Sequence, residues 1–173
     1  MADASVDAHR PPVRGLSGVL GALDASLADA QLVADLEAAH GAADPHEALL
    51  SAVVGRQGWL GACWWRLEDG RARARAWTGL LGPDPRPRLG VGPLGRALRD
   101  ELPDGVRPAA EELECPRCRL ALRAGAVWVG ALRTGGQERG GVLELVGAPP
   151  GGVGPERVAL LRHVAWLAGL DPR

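Results

Sequence analysis

The sequence predicts an α+β fold, a central antiparallel sheet with helices laid against it. Three observations carry this. Two stretches of strand-like residues, 59–77 and 126–147, each read as a hairpin, helical patterns flank and separate them, and no strand alternates with a helix in the βαβ manner that builds a parallel sheet. At 173 residues the chain fits one globular domain that can bury a core without metal or disulfide staples.

Residues 1–14 contain Pro11-Pro12 and no apolar period, and read as a flexible leader. An N-terminal helical segment over 15–43 opens with Leu16, Leu20, Leu23 and Leu27, whose spacing puts them on one helical stripe. Ser26 followed by Asp29 resembles a capping box, and His40-Gly41 supplies a last-turn cation and a terminating glycine, which predicts a helix over about residues 26–40. A second helix starts at Asp44-Pro45-His46-Glu47, with Asp44 as cap and Pro45 in the first turn. It buries Leu49, Leu50, Val53 and Val54, and should end near Gly58.

The first hairpin pairs 59–67 with 71–77 across Glu68-Asp69-Gly70, because Asp-Gly favours a tight turn. Ala72, Ala74 and Ala76 alternate with Arg71, Arg73 and Arg75, so the second strand should bury one face. A proline-rich loop over 82–87 follows, then a short helix after Pro93 and another from Pro116 to Ala124. The second hairpin pairs 126–133 with 141–147. The final helix opens at Pro155-Glu156 and turns Val158, Leu161, Val164, Ala165 and Ala168 inward.

The formal net charge is −1, and all 20 basic residues are Arg in a chain with no Lys, Asn, Ile, Phe or Tyr. That bias is the mark of a GC-rich coding sequence and creates no basic field, so nucleic acid is not an expected partner. Cys63, Cys115 and Cys118 are too few, and odd in number, for a disulfide framework, which argues for a reducing, cytoplasmic setting. No apolar run approaches the roughly 20 residues that span a bilayer, so no membrane association is expected.

The ending Gly141-Val142-Leu143-Glu144-Leu145, a proline-rich loop and Arg157-Val158-Ala159-Leu160-Leu161-Arg162-His163 resembles the close of GAF domains attached to bacterial histidine kinases and nucleotide cyclases. The hairpin around Trp65-Arg66-Leu67-Glu68-Asp69-Gly70 and the loop Gly90-Val91-Gly92-Pro93-Leu94-Gly95-Arg96 fall in the same order, so the resemblance covers about residues 44–170. It implies a GAF/PAS-like sheet with the terminal helices on one face and short helices and loops walling a pocket on the other. It also implies a homodimer or a signalling partner protein, engaged through the Leu16–Leu27 stripe and the last helix. The pocket residues expected on this basis are Trp64, Arg75, Trp77, Arg96 and Trp128, with the neighbouring Trp65 on the opposite face of its strand. No cofactor is identified.

Family variants can be set aside. The Asn-Lys-Phe-Asp motif of cyclic-nucleotide GAF domains has no counterpart, and no cysteine is followed by the His common at bilin attachment sites. Gly90, Gly92 and Gly95 satisfy G-x-G-x-x-G but follow Pro-Arg-Pro-Arg rather than a strand, and read as a turn into a helix.

Cys115-Pro116-Arg117-Cys118 is the sharpest local motif. Pro116 can start a helix that holds Cys115 at its positive end, with Cys118 one turn on to resolve it. A thioredoxin-like βαβ context is missing, so packing cysteines are the competing reading. Zinc would need further ligands from Cys63 and the scattered His9, His40, His46 and His163, and no metal site is expected. His163 reads as a surface or interface residue of the last helix. The expectation is therefore a non-catalytic sensory or regulatory domain that binds a small ligand or partner protein. The alternatives are a thiol-dependent enzyme like the free methionine-(R)-sulfoxide reductases, using Cys115 and Cys118, and a ligand-free adaptor. Those reductases normally carry a cysteine in the glycine loop, where this chain has Val91-Gly92-Pro93-Leu94.

Overall fold

A computed structural model describes residues 16–39, 41–68, 71–80, 82, 87, 89–99, 105–133 and 141–169. The leader, the Asp69-Gly70 turn, most of the proline-rich loop and the 134–140 turn lie outside the described residues. The elements in chain order are α1 (Leu16–Ala39), α2 (Pro45–Gln57), β1 (Trp59–Glu68), β2 (Arg71–Gly79), α3 (Gly92–Leu98), β3 (Gly105–Pro108), a 3₁₀ turn (Ala109–Glu111), α4 (Pro116–Arg123), β4 (Trp128–Arg133), β5 (Gly141–Gly147) and α5 (Pro155–Gly169). The five strands form one antiparallel sheet in the order β2-β1-β5-β4-β3. This is the GAF-like α+β fold, with β5 as its central strand.

Local chemistry sets the helix ends. The Asp44 carboxylate accepts from the Glu47 N–H at 3.1 Å, Pro45 sits where no N–H is needed, and Gly58 closes α2 in a left-handed conformation at φ 71°. α1 is longer than the cap signals predicted. It runs unbroken through Ser26, so the Ser26/Asp29 pair lies inside a helix that starts ten residues earlier, at Leu16. A capping box starts a helix only where the chain before it is not helical, and residues 16–25 are helical. Of the Leu16–Leu27 stripe, Leu27 is exposed, as are Val33 in α1 and Trp166 in α5.

One face of the sheet is covered by α1, α2 and α5. Leu32, Leu36, Leu49, Leu50, Val53, Leu161, Val164 and Ala165 pack there on Trp59, Trp64, Leu132, Leu143 and Leu145 from the strands. The other face carries α3, α4 and the 3₁₀ turn over Cys63, Trp65, Val129, Ala131, Val142 and Val146.

The regular alternation expected along β2 breaks once. Trp64 pairs with Ala76 and Trp65 with Ala74, so Arg75 is an extra residue in the ladder. Ala76 therefore joins the helix-covered core, while Ala72 and Ala74 lie against the opposite cluster. β3 was not foreseen: four residues flanked by charges and prolines carry too little pattern to read as a strand. It is made by pairing with β4, from Gly105↔Ala131 to Pro108↔Trp128.

Leu143 is fully buried on the central strand. Leu143→Ala should lower unfolding free energy by about 2–5 kcal/mol, read from chemical denaturation midpoints at unchanged slope. An unchanged midpoint would contradict this packing.

Candidate active site

Between α3, the start of α4 and the sheet lies a cavity of about 460 Å³. Its walls include Val91, Pro93, Leu94, Val129 and Val146, and its polar side chains are Cys115, Arg117, Cys118 and Glu144. The size suits a small organic molecule.

The cysteine pair is built by the first turn of α4. Pro116 opens the helix, its missing N–H costing no hydrogen bond there, and Cys115 becomes the N-cap. Its sulfur takes the place of a capping oxygen and accepts from the Cys118 N–H at 3.2 Å. All three cysteines are free thiols. Both sulfurs converge beneath Gly92: a Cβ on that residue would lie 2.6 Å from Sγ of Cys115 and 3.4 Å from Sγ of Cys118. Gly92 also has φ 69°, so glycine is required there twice over, for the backbone turn and for the approach to the thiols.

This setting separates the two thiols. The Cys115 pKa is lowered to about 7, first by the hydrogen bond from the Cys118 side chain and then by the N–H groups of Cys118 and Arg117, against the opposing effects of burial and of Glu144. The Cys118 thiol is pushed far up, because its proton is held against the Cys115 sulfur and because burial, the Cys115 charge, Glu112 and Glu144 all disfavour a second anion. Cys63, across the strand pair from Glu144, is pushed up by burial and by that carboxylate. One thiol is poised to react and its neighbour keeps its proton, a division of labour that a disulfide-forming pair needs.

Behind the thiols lies an ion pair. Glu144, in the middle of β5, accepts from Arg117 Nε at 2.9 Å, from an Arg117 terminal nitrogen at 2.8 Å and from Trp65 Nε1 at 3.0 Å. The Arg117 guanidinium also lies 5.7 Å from the Trp65 ring centre and donates to the Gly82 carbonyl at 3.3 Å. The two charged side chains are only 14 % and 9 % exposed.

None of the five residues expected at the pocket lines this cavity. Trp64 points into the helix-covered core and stacks on His46, because it alternates with Trp65 and it is Trp65 that faces the thiol side. Trp128 packs against the same core. Trp77 is half exposed on the edge strand, Arg75 is bound to Glu68 at the bulge, and Arg96 is bound to Glu112. Cys115 and Cys118 are brought together on the cavity wall. Glu144, Arg117 and Trp65 were missed as a group. The available signal was an acid inside an otherwise apolar strand, Val142-Leu143-Glu144-Leu145-Val146, since a buried carboxylate must have partners. Among the described residues, no group of three or more His, Cys, Asp or Glu side chains could hold a metal ion, and no helix is long and apolar enough to cross a membrane.

No family model matches the chain, and no curated protein matches it. Solved structures do. The fRMsr of Staphylococcus aureus in complex with substrate aligns at a TM-score of 0.58 and 11 % identity, over 86 % of this chain and 93 % of that one. The type II free methionine-R-sulfoxide reductase of Thermoplasma acidophilum aligns at 0.57 and 13 %, over 84 % and 94 %. The GAF domain region of a protein from Geobacter sulfurreducens aligns at 0.58 and 16 %, over 80 % and 93 %. These TM-scores, at such low identities, establish a shared fold alone. They also correct the expectation of a non-catalytic domain, which was drawn from the GAF-like order of elements together with the lack of a convincing nucleophile, base or metal cluster: structures of the same fold include reductases.

Alkylation of Cys115 by iodoacetamide, followed by peptide mass mapping, should rise with pH through a midpoint of about 7, since the thiolate is the reactive form and lies above the pKa. Cys118→Ala removes the largest stabilising contact, so the midpoint should move up. A midpoint at the ordinary thiol value of 9.0 in the unmodified protein would contradict the assignment.

Proposed function

We propose that the chain is a dithiol-dependent reductase of a small sulfoxide, with Cys115 as the attacking thiolate and Cys118 as the resolving thiol. The observation that carries this is the convergence of both sulfurs on the wall of a cavity large enough for a small molecule. The chemistry follows from the separated acidities. Cys115 attacks the sulfoxide sulfur, and the substrate's S–O bond breaks as oxygen passes to Cys115, leaving a sulfide and a sulfenic acid. The Cys118 thiol then displaces that oxygen as water and closes a Cys115–Cys118 disulfide. In sum, one sulfoxide, the Cys115 thiolate, the Cys118 thiol and one solvent proton give one sulfide, one disulfide and one water. An external dithiol returns the pair to its reduced state. Gly92 lets the loop lie over the sulfurs without a side chain blocking them.

Methionine sulfoxide reduction in two proteins of the same fold supports a sulfoxide as the oxidised group. The cysteines need not fall at the same places in the chain. Here the glycine loop has none, and α4 supplies both.

The test is dithiothreitol-dependent conversion of a methyl sulfoxide to its sulfide. The unmodified protein should turn over, and Cys115→Ser should fall to background. Cys118→Ser, without added reductant, should stop at a sulfenic acid that dimedone traps on Cys115. Equal rates for the unmodified protein and Cys115→Ser would sink the proposal.

A further inference from the structure

We infer that the cavity takes a sulfoxide whose non-reacting groups are uncharged and apolar, rather than a free amino acid. This rests on the dithiol reading above and names the substrate class of that same site. A free amino acid carries an ammonium and a carboxylate, and each must meet an opposite charge or several hydrogen bonds once it leaves water. Among the described residues lining the cavity, the charged side chains besides the reacting Cys115 thiolate are Arg117 and Glu144, and they already satisfy each other.

Their geometry makes them a poor receptor for a zwitterion. Glu144 accepts two hydrogen bonds from Arg117 and a third from Trp65. Arg117 is further held by the Gly82 carbonyl and by the face of Trp65. Planar two-point pairing of this kind is the strongest arrangement open to the two groups. To admit an ammonium and a carboxylate, the pair, only 14 % and 9 % exposed, would have to part, leaving each charge to find a replacement of equal quality. Kept together, it presents no net charge. The remaining walls, Val91, Pro93, Leu94, Val129 and Val146, reward burial of hydrocarbon. A methyl aryl or dialkyl sulfoxide brings such surface and one strong acceptor, the sulfoxide oxygen, which the reaction removes.

The experiment compares methyl p-tolyl sulfoxide with free L-methionine sulfoxide in two readouts: kcat/KM of the reduced protein with dithiothreitol, and calorimetric binding to Cys115→Ser, which keeps a capping side chain on α4 but cannot react. The neutral sulfoxide should exceed the free amino acid by about tenfold or more in both, the scale of leaving one charged group without a matched partner. Equal or better use of the free amino acid would overturn the inference while leaving the reductase reading intact. Selective binding of the neutral sulfoxide with no turnover would remove the reductase reading and leave the cavity's preference standing. Neither binding nor turnover of either compound would overturn both.

Discussion

A carboxylate placed in the middle of a sheet governs the cavity side of this molecule. Glu144 sits on the central strand with its side chain turned toward the cavity. It is only 9 % exposed there, and a buried acid without partners costs several kcal/mol in effective terms. Two donors meet it, Trp65 from the neighbouring strand and Arg117 from α4. Arg117 lies between the two cysteines in the chain, so satisfying Glu144 fixes the turn that presents them. The ion pair is thus the tie between sheet and helix that holds Cys115 at the helix N-terminus, facing the cavity. The same pairing neutralises the wall against which a ligand would lie.

The two faces of the sheet divide the work. Helices α1, α2 and α5 bury leucines, valines and two tryptophans on one side, which is where burial supplies most of the stability. The opposite side carries two short helices and a 3₁₀ turn, and the cavity lies between them and the sheet. A fold arranged this way can hold a ligand, a reaction centre or both without changing its core. Its occurrence in a GAF domain region and in reductases reflects that freedom.

Most of the scaffold was legible because it rests on local signals. Asp44-Pro45, Gly58, Pro116 and Pro155 mark element ends through their own backbone chemistry, and the sheet partners announce themselves by apolar runs on both sides of turns. Apart from the start of α1, the failures have a common cause: they depend on contacts made with other elements. The bulge at Arg75 changes which alanines face which core, and no pattern within β2 alone reveals it. The face of Trp64 was read wrongly because alternation says that it opposes Trp65 without saying which of the two looks at the cavity. The short strand β3 exists only through β4. The cysteine motif was legible, but the pair that anchors it was not, because Glu144 and Arg117 are 27 residues apart.

The most direct test of the account is where the oxidising equivalents go. The reduced protein is treated with one equivalent of sulfoxide or hydrogen peroxide, alkylated under denaturing conditions and mapped by mass spectrometry. The account predicts a Cys115–Cys118 disulfide with Cys63 recovered as a free thiol. Recovery of Cys115 and Cys118 as thiols, or oxidation centred on Cys63, would contradict it.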